Sequence, residues 1–363
     1  MDFAARADSG SKPRREGQRL MQLNDTTGRP AETIDLRDDR VTWGGTIEVE
    51  HGPGWSRGWR LPLSRIELFP GDGLRSRAAM QAGVRLEFST DATVISGSAT
   101  VMDEADATIV DLVVKGTYLA SAPVLGDGSF TFTGLAPVMK EVELWLPQYG
   151  DVRLTSLAVN AGADVRRSPD TDRPRLVTYG SSITQCRAAA SPSRTWPALV
   201  AADLGMDLTC LGFGSECHVD PMIARLIRDR PADLVVTCLG INVYGSGTFT
   251  ERSFLPAVLG FLSTVRDGHP GTPIVVISPI VSPDREAVAG PTGMTLAELR
   301  SYVEEAVALL AEHDDGLHLI RGLEAFGPDQ AHLLHDGLHP GPDGYVQLAR
   351  SILGRLRVVL DGG

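Results

Sequence analysis

The sequence predicts a two-domain α/β protein, in which an antiparallel β-sandwich precedes a parallel sheet with helices on both faces. At 363 residues, the chain is long enough to bury two separate cores. Residues 30–168 alternate apolar and polar positions with period two, whereas later residues alternate short apolar runs with segments of helical period. The change falls at the Arg- and Pro-containing stretch 166–170, so we expect the second domain to span residues 169–363.

Residues 1–29 form the first segment of the chain. They are polar, rich in Arg, Asp, Gly and Thr, and have no hydrophobic periodicity. Such a segment cannot bury enough apolar surface to fold by itself. We expect a flexible N-terminal segment and assign it no function.

The predicted sandwich follows. Val84, Leu86 and Phe88 alternate with Arg85 and Glu87, and the same alternation continues over residues 95–101. Further strand-like runs cover 110–114, 130–132 and 142–146, and turn sequences rich in Gly and Asp separate them. Short strands at this spacing are typical of an antiparallel β-sandwich.

The second domain contains five apolar runs that are rich in β-branched residues and lack polar alternation, as in a sheet buried on both faces. They cover residues 176–179, 208–211, 234–239, 274–280 and 317–320. Helices are predicted between them: one begins at Asp220-Pro221, one covers 296–310 after the capping box of Thr295 and Glu298, and the last covers about 343–356. Ligands of such sheets bind beyond the carboxyl ends of the strands.

Composition excludes several classes of function. Lys and Arg number 34 against 46 Asp and Glu, and the net charge of -12 argues against a nucleic-acid partner. Four cysteines without a CxxC pair and an N-terminus without an apolar signal region indicate a cytoplasmic protein. No apolar run approaches the roughly 20 residues that span a bilayer. We therefore expect a soluble protein. We also expect it to be a monomer whose partners are small molecules.

A serine lies where the first parallel strand ends, in Gly180-Ser181-Ser182. The glycine allows a tight turn, which places Ser182 at the carboxyl edge of the sheet. A serine hydroxyl becomes a nucleophile when a base lies within hydrogen-bond reach and a third group orients that base. Ser182 is thus the candidate nucleophile.

The candidate base and its orienting acid share the loop before the last helix. Asp336 and His339 are three residues apart, so the carboxylate can reach the imidazole Nδ1 and leave Nε2 to accept the serine proton. His335 competes for the role of base, but it directly precedes Asp336. The spacing favours His339.

Two other turns at the same edge offer donors for an oxyanion. Gly212-Phe213-Gly214-Ser215 follows the second strand and supplies backbone N–H groups, and Asn242 follows the third strand and supplies an amide. The Ser182 N–H is a further donor. Glu216 and His218 continue the second turn, where they either line the mouth of a substrate pocket or belong to a solvated loop. The spacing of Cys210, Cys217 and His218 fits no common zinc site, so no metal is expected.

The order of these motifs over residues 172–360 resembles the four signature blocks of the SGNH (GDSL) hydrolase superfamily. The resemblance implies a three-layer α/β/α, flavodoxin-like catalytic domain with Ser182 as nucleophile, His339 as base and Asp336 as its orienting acid. It also implies an oxyanion hole made by the Ser182 N–H, Asn242 and a donor from the second signature block, either Gly214 or Ser215. We call residues 212–215 the block-two turn. Ser181 replaces the aspartate of the usual Gly-Asp-Ser, and Val243 follows Asn242 where many members have aspartate.

The resemblance also suggests reactions. A β-sandwich ahead of an SGNH domain is similar to O-acyltransferases that tailor tetracycline-type polyketides, which implies an acyl-CoA donor, a hydroxyl acceptor and no bound cofactor. Two-domain relatives also include esterases that deacylate carbohydrates, and the sandwich resembles carbohydrate-binding modules. We keep three hypotheses: an acyltransferase that moves an acyl group, such as salicylyl, to a polyketide hydroxyl; an esterase; and a non-catalytic carbohydrate-binding protein, against which the complete triad argues.

Overall fold

A computed structural model of the chain describes residues 32–102, 108–169 and 172–361. The segment 1–29, for which the sequence predicts flexibility, lies outside the described residues. The two predicted patterns correspond to two architectures, a pair of antiparallel sheets followed by a parallel sheet between helices. The fold class is confirmed.

The first architecture contains twelve described strands and one helix, in chain order: β1 (Glu32–Ile34), β2 (Thr42–Gly44), β3 (Glu48–Gly52), β4 (Trp55–Trp59), α1 (Asp72–Ala78), β5 (Arg85–Thr90), β6 (Ile95–Val101), β7 (Ile109–Val114), β8 (Thr117–Pro123), β9 (Ser129–Phe132), β10 (Lys140–Trp145), β11 (Val152–Val159) and β12 (Val165–Arg166).

The strands form two facing sheets. One has the order β3-β4-β11-β6-β9, with β1 also paired to β11, and the other has the order β12-β5-β10-β7-β8, with β2 also paired to β5. Alternate residues of β5 and β10, such as Leu86 and Leu144, are fully buried between the sheets. This burial explains the period-two pattern, because successive side chains of a strand point to opposite faces.

Over residues 172–361, the second architecture contains five strands and eight α-helices, in chain order: β13 (Arg175–Gly180), α2 (Ser182–Gln185), α3 (Trp196–Leu204), β14 (Asp207–Gly212), α4 (Pro221–Asp229), β15 (Leu234–Cys238), α5 (Ile241–Ser246), α6 (Glu251–Gly268), β16 (Ile274–Ile277), α7 (Leu296–Ala311), β17 (Leu317–Ile320), α8 (Gly322–Ala325) and α9 (Pro342–Asp361).

All strands of this sheet are parallel, in the order β14-β13-β15-β16-β17. Helices α4, α6 and α7 cover one face and α3 and α9 cover the other. The carboxyl ends of β13, β14 and β15 therefore lie side by side, and the turns that follow them meet at one edge.

Two details of the predicted helices differ from the structure. Asp220 precedes α4, but its side chain makes no capping hydrogen bond, and α9 continues to Asp361 instead of ending near 356. The capping box of Thr295 and Glu298 is present at the start of α7. Within the described ranges, no helix combines the length and the apolar character needed to cross a membrane.

The two architectures share an apolar interface. Trp59, Leu61 and Leu74 of the N-terminal part belong to one buried cluster with Tyr179 and Leu211 of the parallel sheet. On the other face of the sheet, Val113 and Trp145 join a cluster with Leu176 and Leu208. The sandwich thus packs directly against the domain that carries the candidate site.

Candidate active site

The nucleophile turn joins β13 to α2. Ser181 caps the helix, since its Oγ accepts the Ile183 N–H at 3.2 Å, and Ser182 is the first helical residue. Gly180 has no room for a side chain, because a Cβ there would lie 2.2 Å from Thr184 Oγ1 and 3.0 Å from the Cys238 carbonyl oxygen. The replacement of aspartate by Ser181 therefore keeps an N-cap, and Ser182 stands at the carboxyl edge.

A hydrogen-bonded relay connects Ser182 to the loop before α9. Ser182 Oγ lies 2.8 Å from His339 Nε2, and His339 Nδ1 lies 2.7 Å from Asp336 Oδ2. An ionised carboxylate only accepts, so it places the imidazole proton on Nδ1 and leaves Nε2 to accept from the serine hydroxyl. The structure thus brings together the three residues that the sequence singled out.

Asp336 is held in its ionised form. Burial tends to raise the pKa of this carboxyl, but hydrogen bonds from the His339 backbone N–H at 2.7 Å, from the His339 ring and from the Leu338 N–H at 3.0 Å outweigh it. The pKa of Asp336 therefore lies well below its usual range. A carboxylate of this kind stays charged at neutral pH and stabilises an imidazolium beside it.

His335, the rival base, lies on the other side of the same carboxylate. Its Nε2 is 3.7 Å from Asp336 Oδ2, and its side chain is 58% exposed. Its backbone N–H donates to the His339 carbonyl at 2.9 Å, which closes the loop around Asp336. The geometry therefore places His339, and not His335, against Ser182.

Asn242 lies at the start of α5, after Gly240, whose φ of 109° suits glycine. The Cys217 N–H donates to Asn242 Oδ1 at 3.0 Å. With its oxygen held in this way, the amide keeps both Nδ2 hydrogens for another acceptor. Asn242 is thus oriented as a hydrogen-bond donor.

The two block-two candidates differ in their N–H groups. The Gly214 N–H already donates to Gln185 Oε1 at 2.8 Å. Ser215 is exposed and has a φ of 66°, and no described residue accepts its N–H. Of the two N–H groups, that of Ser215 is therefore the one left without a described acceptor, and this distinction was left open by the sequence.

Glu216 and His218 continue this turn, and both are partly buried. His218 Nε2 lies 3.0 Å from the Ser215 carbonyl oxygen, and its Nδ1 lies 2.8 Å from Thr248 Oγ1, so both ring nitrogens have partners. Burial raises the pKa of Glu216, against the opposing influence of His218 and Arg77. The His218 side chain thus supports the turn that carries Ser215.

Sequence reasoning missed the contribution of the sandwich domain. Arg60 is fully buried and donates to the carbonyls of Met80 at 2.8 Å and of Cys210 at 3.2 Å, and also to the Gly212 and Arg77 carbonyls. Burial lowers the pKa of Arg60 to about 10. Arg60 and Cys210 are 150 positions apart in the sequence, and no local sequence pattern predicts their contact. Arg60 thereby ties the end of β14 to the N-terminal domain.

Arg77, at the end of α1, also reaches the site. Its Nε donates to the Gly214 carbonyl at 3.1 Å, and Nη1 donates to Tyr149 Oη at 3.0 Å. Gln185 links the same turn to the sandwich side. Its Nε2 donates to the Gln148 carbonyl at 3.2 Å, and its Oε1 accepts the Gly214 N–H. The Gly214 carbonyl is therefore bonded across the domain boundary, and the Gly214 N–H is held by Gln185, which itself contacts the sandwich side.

A cavity of about 970 Å³ lies elsewhere, between the sandwich and the start of β14. Its lining includes Trp145, Arg173 and Met206, and none of Ser182, Asp336 and His339. No described group of three or more His, Cys, Asp and Glu side chains is arranged to hold a metal ion.

Comparisons with known proteins agree with this arrangement. The profile of the GDSL-like lipase/acylhydrolase family matches residues 178–347, and that of the SsfX3 N-terminal domain matches residues 41–155. No curated protein sequence that was compared with the chain matches it.

Several solved structures resemble the chain over both domains. The salicylyl-acyltransferase SsfX3 from a tetracycline biosynthetic pathway is 30% identical, with a TM-score of 0.83 over 92% of this chain and 98% of that one. A GDSL-like lipase structure from Bacteroides ovatus is 19% identical, with a TM-score of 0.74 over 89% and 96% of the two chains. A family two carbohydrate esterase from Clostridium thermocellum is 16% identical, with a TM-score of 0.63 over 88% and 98%. The last two similarities concern the fold alone.

Proposed function

Because this chain belongs to the GDSL-like lipase/acylhydrolase family, we propose that it forms an acyl ester on Ser182 and passes the acyl group to a hydroxyl of a small molecule. As a member of this family, the chain is an SGNH-type acyltransferase or esterase. The roles of individual residues and the identity of donor and acceptor are the substance of the proposal.

The observation that carries the proposal is the relay from Ser182 to Asp336. Its two links measure 2.8 Å and 2.7 Å, within the range of strong hydrogen bonds. Nucleophile, base and orienting acid in this order are the requirements for activating a serine. We assign these roles to Ser182, His339 and Asp336.

In the first half-reaction, Ser182 Oγ attacks the carbonyl carbon of the donor while His339 Nε2 takes the hydroxyl proton. The tetrahedral intermediate collapses as the bond to the leaving group breaks, and the imidazolium returns the proton to that group. In the second half-reaction, Nε2 takes the proton of the acceptor hydroxyl, whose oxygen attacks the acyl-serine carbonyl. Ser182 Oγ then leaves and recovers the proton.

Three donors are proposed to hold the oxyanion: the backbone N–H groups of Ser182 and Ser215, and Asn242 Nδ2. Each is fixed before the substrate arrives, Ser182 by the helix start, Ser215 by the anchored turn, and Asn242 by the Cys217 N–H. Donors oriented in advance stabilise developing charge without reorganisation. Two interdomain hydrogen bonds, from Arg60 to the Gly212 carbonyl and from Arg77 to the Gly214 carbonyl, help to fix the block-two turn.

We propose that the acceptor is an alcohol, such as the hydroxyl of a polyketide-type natural product, and that the donor is an acyl-CoA. The support is the similarity to the salicylyl-acyltransferase, which extends through the sandwich as well as the catalytic domain. An extended acceptor could use both domains, since Arg77 and Tyr149 of the sandwich side adjoin the block-two turn.

Hydrolysis is the second candidate, and the exposure of the site favours it. The side chains of His339 and Asp336 are 25% and 39% exposed. Water can therefore approach the base, and an acyl-serine without a bound alcohol would be hydrolysed. In that case the chain would act as an esterase on O-acyl esters of a carbohydrate or another small molecule.

One experiment distinguishes these reactions. Pure protein is incubated with acetyl- and aryl-CoA donors, with and without candidate alcohols, and products and acyl-enzyme are followed by mass spectrometry. A new ester supports the transferase, whereas free acid in the presence of every alcohol would support the esterase. Ser182→Ala should lose on the order of 10³-fold or more in turnover. If that variant remained as active as the wild type, the assigned nucleophile would be wrong.

A further inference from the structure

One peptide group of the block-two turn connects the sandwich side to the candidate oxyanion hole. Its carbonyl, on Gly214, accepts a hydrogen bond from Arg77 Nε at 3.1 Å, and its N–H, on Ser215, has no acceptor among the described residues. The carbonyl and the N–H of a planar trans peptide point in opposite directions. A contact that fixes the carbonyl therefore also fixes the direction of the Ser215 N–H.

This peptide group lies next to the nucleophile. Gly214 is buried, and a Cβ built on it would lie 3.1 Å from Gln185 Oε1, 3.4 Å from Ser182 Cβ and 3.6 Å from Arg77 Nε. The side chains of Ser182 and Arg77 thus approach the same glycine. The donor that Arg77 orients belongs to the next residue, Ser215.

The backbone at Ser215 needs support from its neighbours. Its φ of 66° lies in the left-handed region, which is unfavourable for a residue other than glycine. His218 Nε2 donates to the Ser215 carbonyl at 3.0 Å, so His218 holds the peptide group that follows Ser215 and Arg77 holds the one that precedes it. Without the Arg77 contact, the turn can relax toward a more favourable φ, and the Ser215 N–H then changes direction.

Arg77 is itself fixed on the sandwich side. Its Nη1 donates to Tyr149 Oη at 3.0 Å, its central guanidinium carbon lies 5.2 Å from the centre of the Tyr149 ring, and its backbone carbonyl accepts from Arg60 Nη2. Because the guanidinium is planar, a hydrogen bond from Nη1 also restricts the direction of Nε. A charged donor binds a carbonyl more strongly than a neutral donor does. Arg77 is therefore a firm anchor for the Gly214 carbonyl.

We propose that Arg77 is a positioning residue of the active site, which directs the Ser215 N–H toward the oxyanion through the Gly214 carbonyl. The inference rests on the proposed function, in which that N–H is an oxyanion donor. In this role Arg77 acts on the peptide group and not on the substrate. The sandwich side of the molecule then supplies part of the catalytic alignment, in addition to any contact with an acceptor.

The test compares two esters that differ only in the atom that becomes the oxyanion. 4-Nitrophenyl acetate develops the negative charge on oxygen, and O-4-nitrophenyl thionoacetate develops it on sulfur, which is a weak hydrogen-bond acceptor. The ratio of kcat/KM for the oxygen ester and the thionoester, divided by the same ratio for hydroxide-catalysed hydrolysis, measures how strongly the oxyanion donors favour oxygen. A loss of folded protein lowers both values of kcat/KM equally and leaves the ratio unchanged.

Arg77→Met and Arg77→Gln are the informative pair of variants. The methionine Cε and the glutamine Nε2 occupy the chain position of the arginine Nε, so both variants lose the charge, but only glutamine keeps a donor for the Gly214 carbonyl. We expect Arg77→Met to lower the ratio about tenfold, less than the roughly 10²-fold cost of deleting an oxyanion donor, because the N–H is misdirected and not removed. Arg77→Gln should retain most of the wild-type ratio.

Arg75→Met is the matched control. Arg75 lies on the same helix and is also partly buried, and its Nε donates to the Phe69 carbonyl at 3.0 Å, outside the block-two turn. Its replacement removes the same kind of hydrogen bond and should leave the ratio unchanged.

Two results would overturn the inference: an unchanged ratio in folded Arg77→Met, or equal falls in Arg77→Met and Arg77→Gln. If circular dichroism shows that Arg77→Met does not fold, Arg77→Lys replaces it, since lysine keeps the charge but has a methylene at the position of Nε. A ratio for Arg77→Lys as high as that for Arg77→Gln would then overturn the inference. Failure of the proposed function gives a different result, in which Ser182→Ala hydrolyses both esters as fast as the wild type.

Discussion

Replacing Asp336 by asparagine is expected to lower kcat about 10³-fold while the fold persists. The carboxylate accepts three hydrogen bonds: Oδ1 accepts the backbone N–H groups of Leu338 and His339, and Oδ2 faces His339 Nδ1. An asparagine that keeps its oxygen on the two N–H groups must turn its NH₂ toward Nδ1. The imidazole would then carry its proton on Nε2, where it faces Ser182 and cannot accept the serine proton.

The magnitude follows from the exposure of the pair. The corresponding substitution in a buried serine-protease triad costs about 10⁴-fold. In this chain the Asp336 side chain is 39% exposed, so water solvates part of the imidazolium and replaces part of the lost attraction. We therefore expect kcat to fall by about 10³-fold, less than in a buried triad.

The assay is steady-state hydrolysis of a 4-nitrophenyl ester, with circular dichroism to verify folding. His335→Gln is the matched control, because His335 lies 3.7 Å from the same carboxylate but does not contact Ser182; its kcat should stay within roughly twofold of the wild type. If Asp336→Asn kept a tenth of the wild-type kcat, or if His335→Gln lost as much as Asp336→Asn, the tautomer argument would be refuted.

Four further outcomes are expected. The stability that ionised Asp336 contributes should be present above about pH 4 and disappear as the pH falls through the lowered pKa of the folded state, so urea unfolding of wild type and Asp336→Asn should converge in acid. Asn242→Ala should lower kcat by about 10²-fold in the same ester assay, because it removes an oxyanion donor; an unchanged kcat would exclude this role. Arg60→Met should destabilise the protein by about 3 kcal/mol in urea unfolding, since buried carbonyls lose their donor; a stability equal to wild type would contradict that account. Thiol reagents should label no cysteine in the native protein and all four in urea, because all four are buried and burial raises the pKa values of Cys186, Cys217 and Cys238, the last to about 12; rapid labelling of native protein would contradict the buried placement.

Local signals predicted much of the fold. The apolar runs at 208–211 and 317–320 correspond to β14 (Asp207–Gly212) and β17 (Leu317–Ile320), because a strand buried on both faces needs an uninterrupted apolar run. The capping box at Thr295 predicted the start of α7 for a similarly local reason. The predicted end of α9 was too early, since the buried apolar periodicity ends at Leu356 and the following turn carries exposed residues such as Val358.

The relay was also predicted from the sequence. Asp336 and His339 are three residues apart and Ser182 directly follows a parallel strand, so all three were expected beyond the carboxyl ends of the strands. The order of the motifs, which resembles the SGNH signature blocks, singled them out as a set. The choice between Gly214 and Ser215 could not be made in this way. It depends on Gln185, whose side chain takes the Gly214 N–H from 29 positions away.

The sequence by itself determined the two-domain α/β class and the three residues of the relay, because strand periodicity, turn glycines and short spacings are local properties. Only the tertiary structure decided which N–H groups remain available and that Arg60, Arg77 and Tyr149 support or adjoin the site. Those contacts join residues more than 70 positions apart. They exist because the apolar interface brings the sandwich against the parallel sheet, and a pattern read along the chain contains no record of which distant surfaces meet.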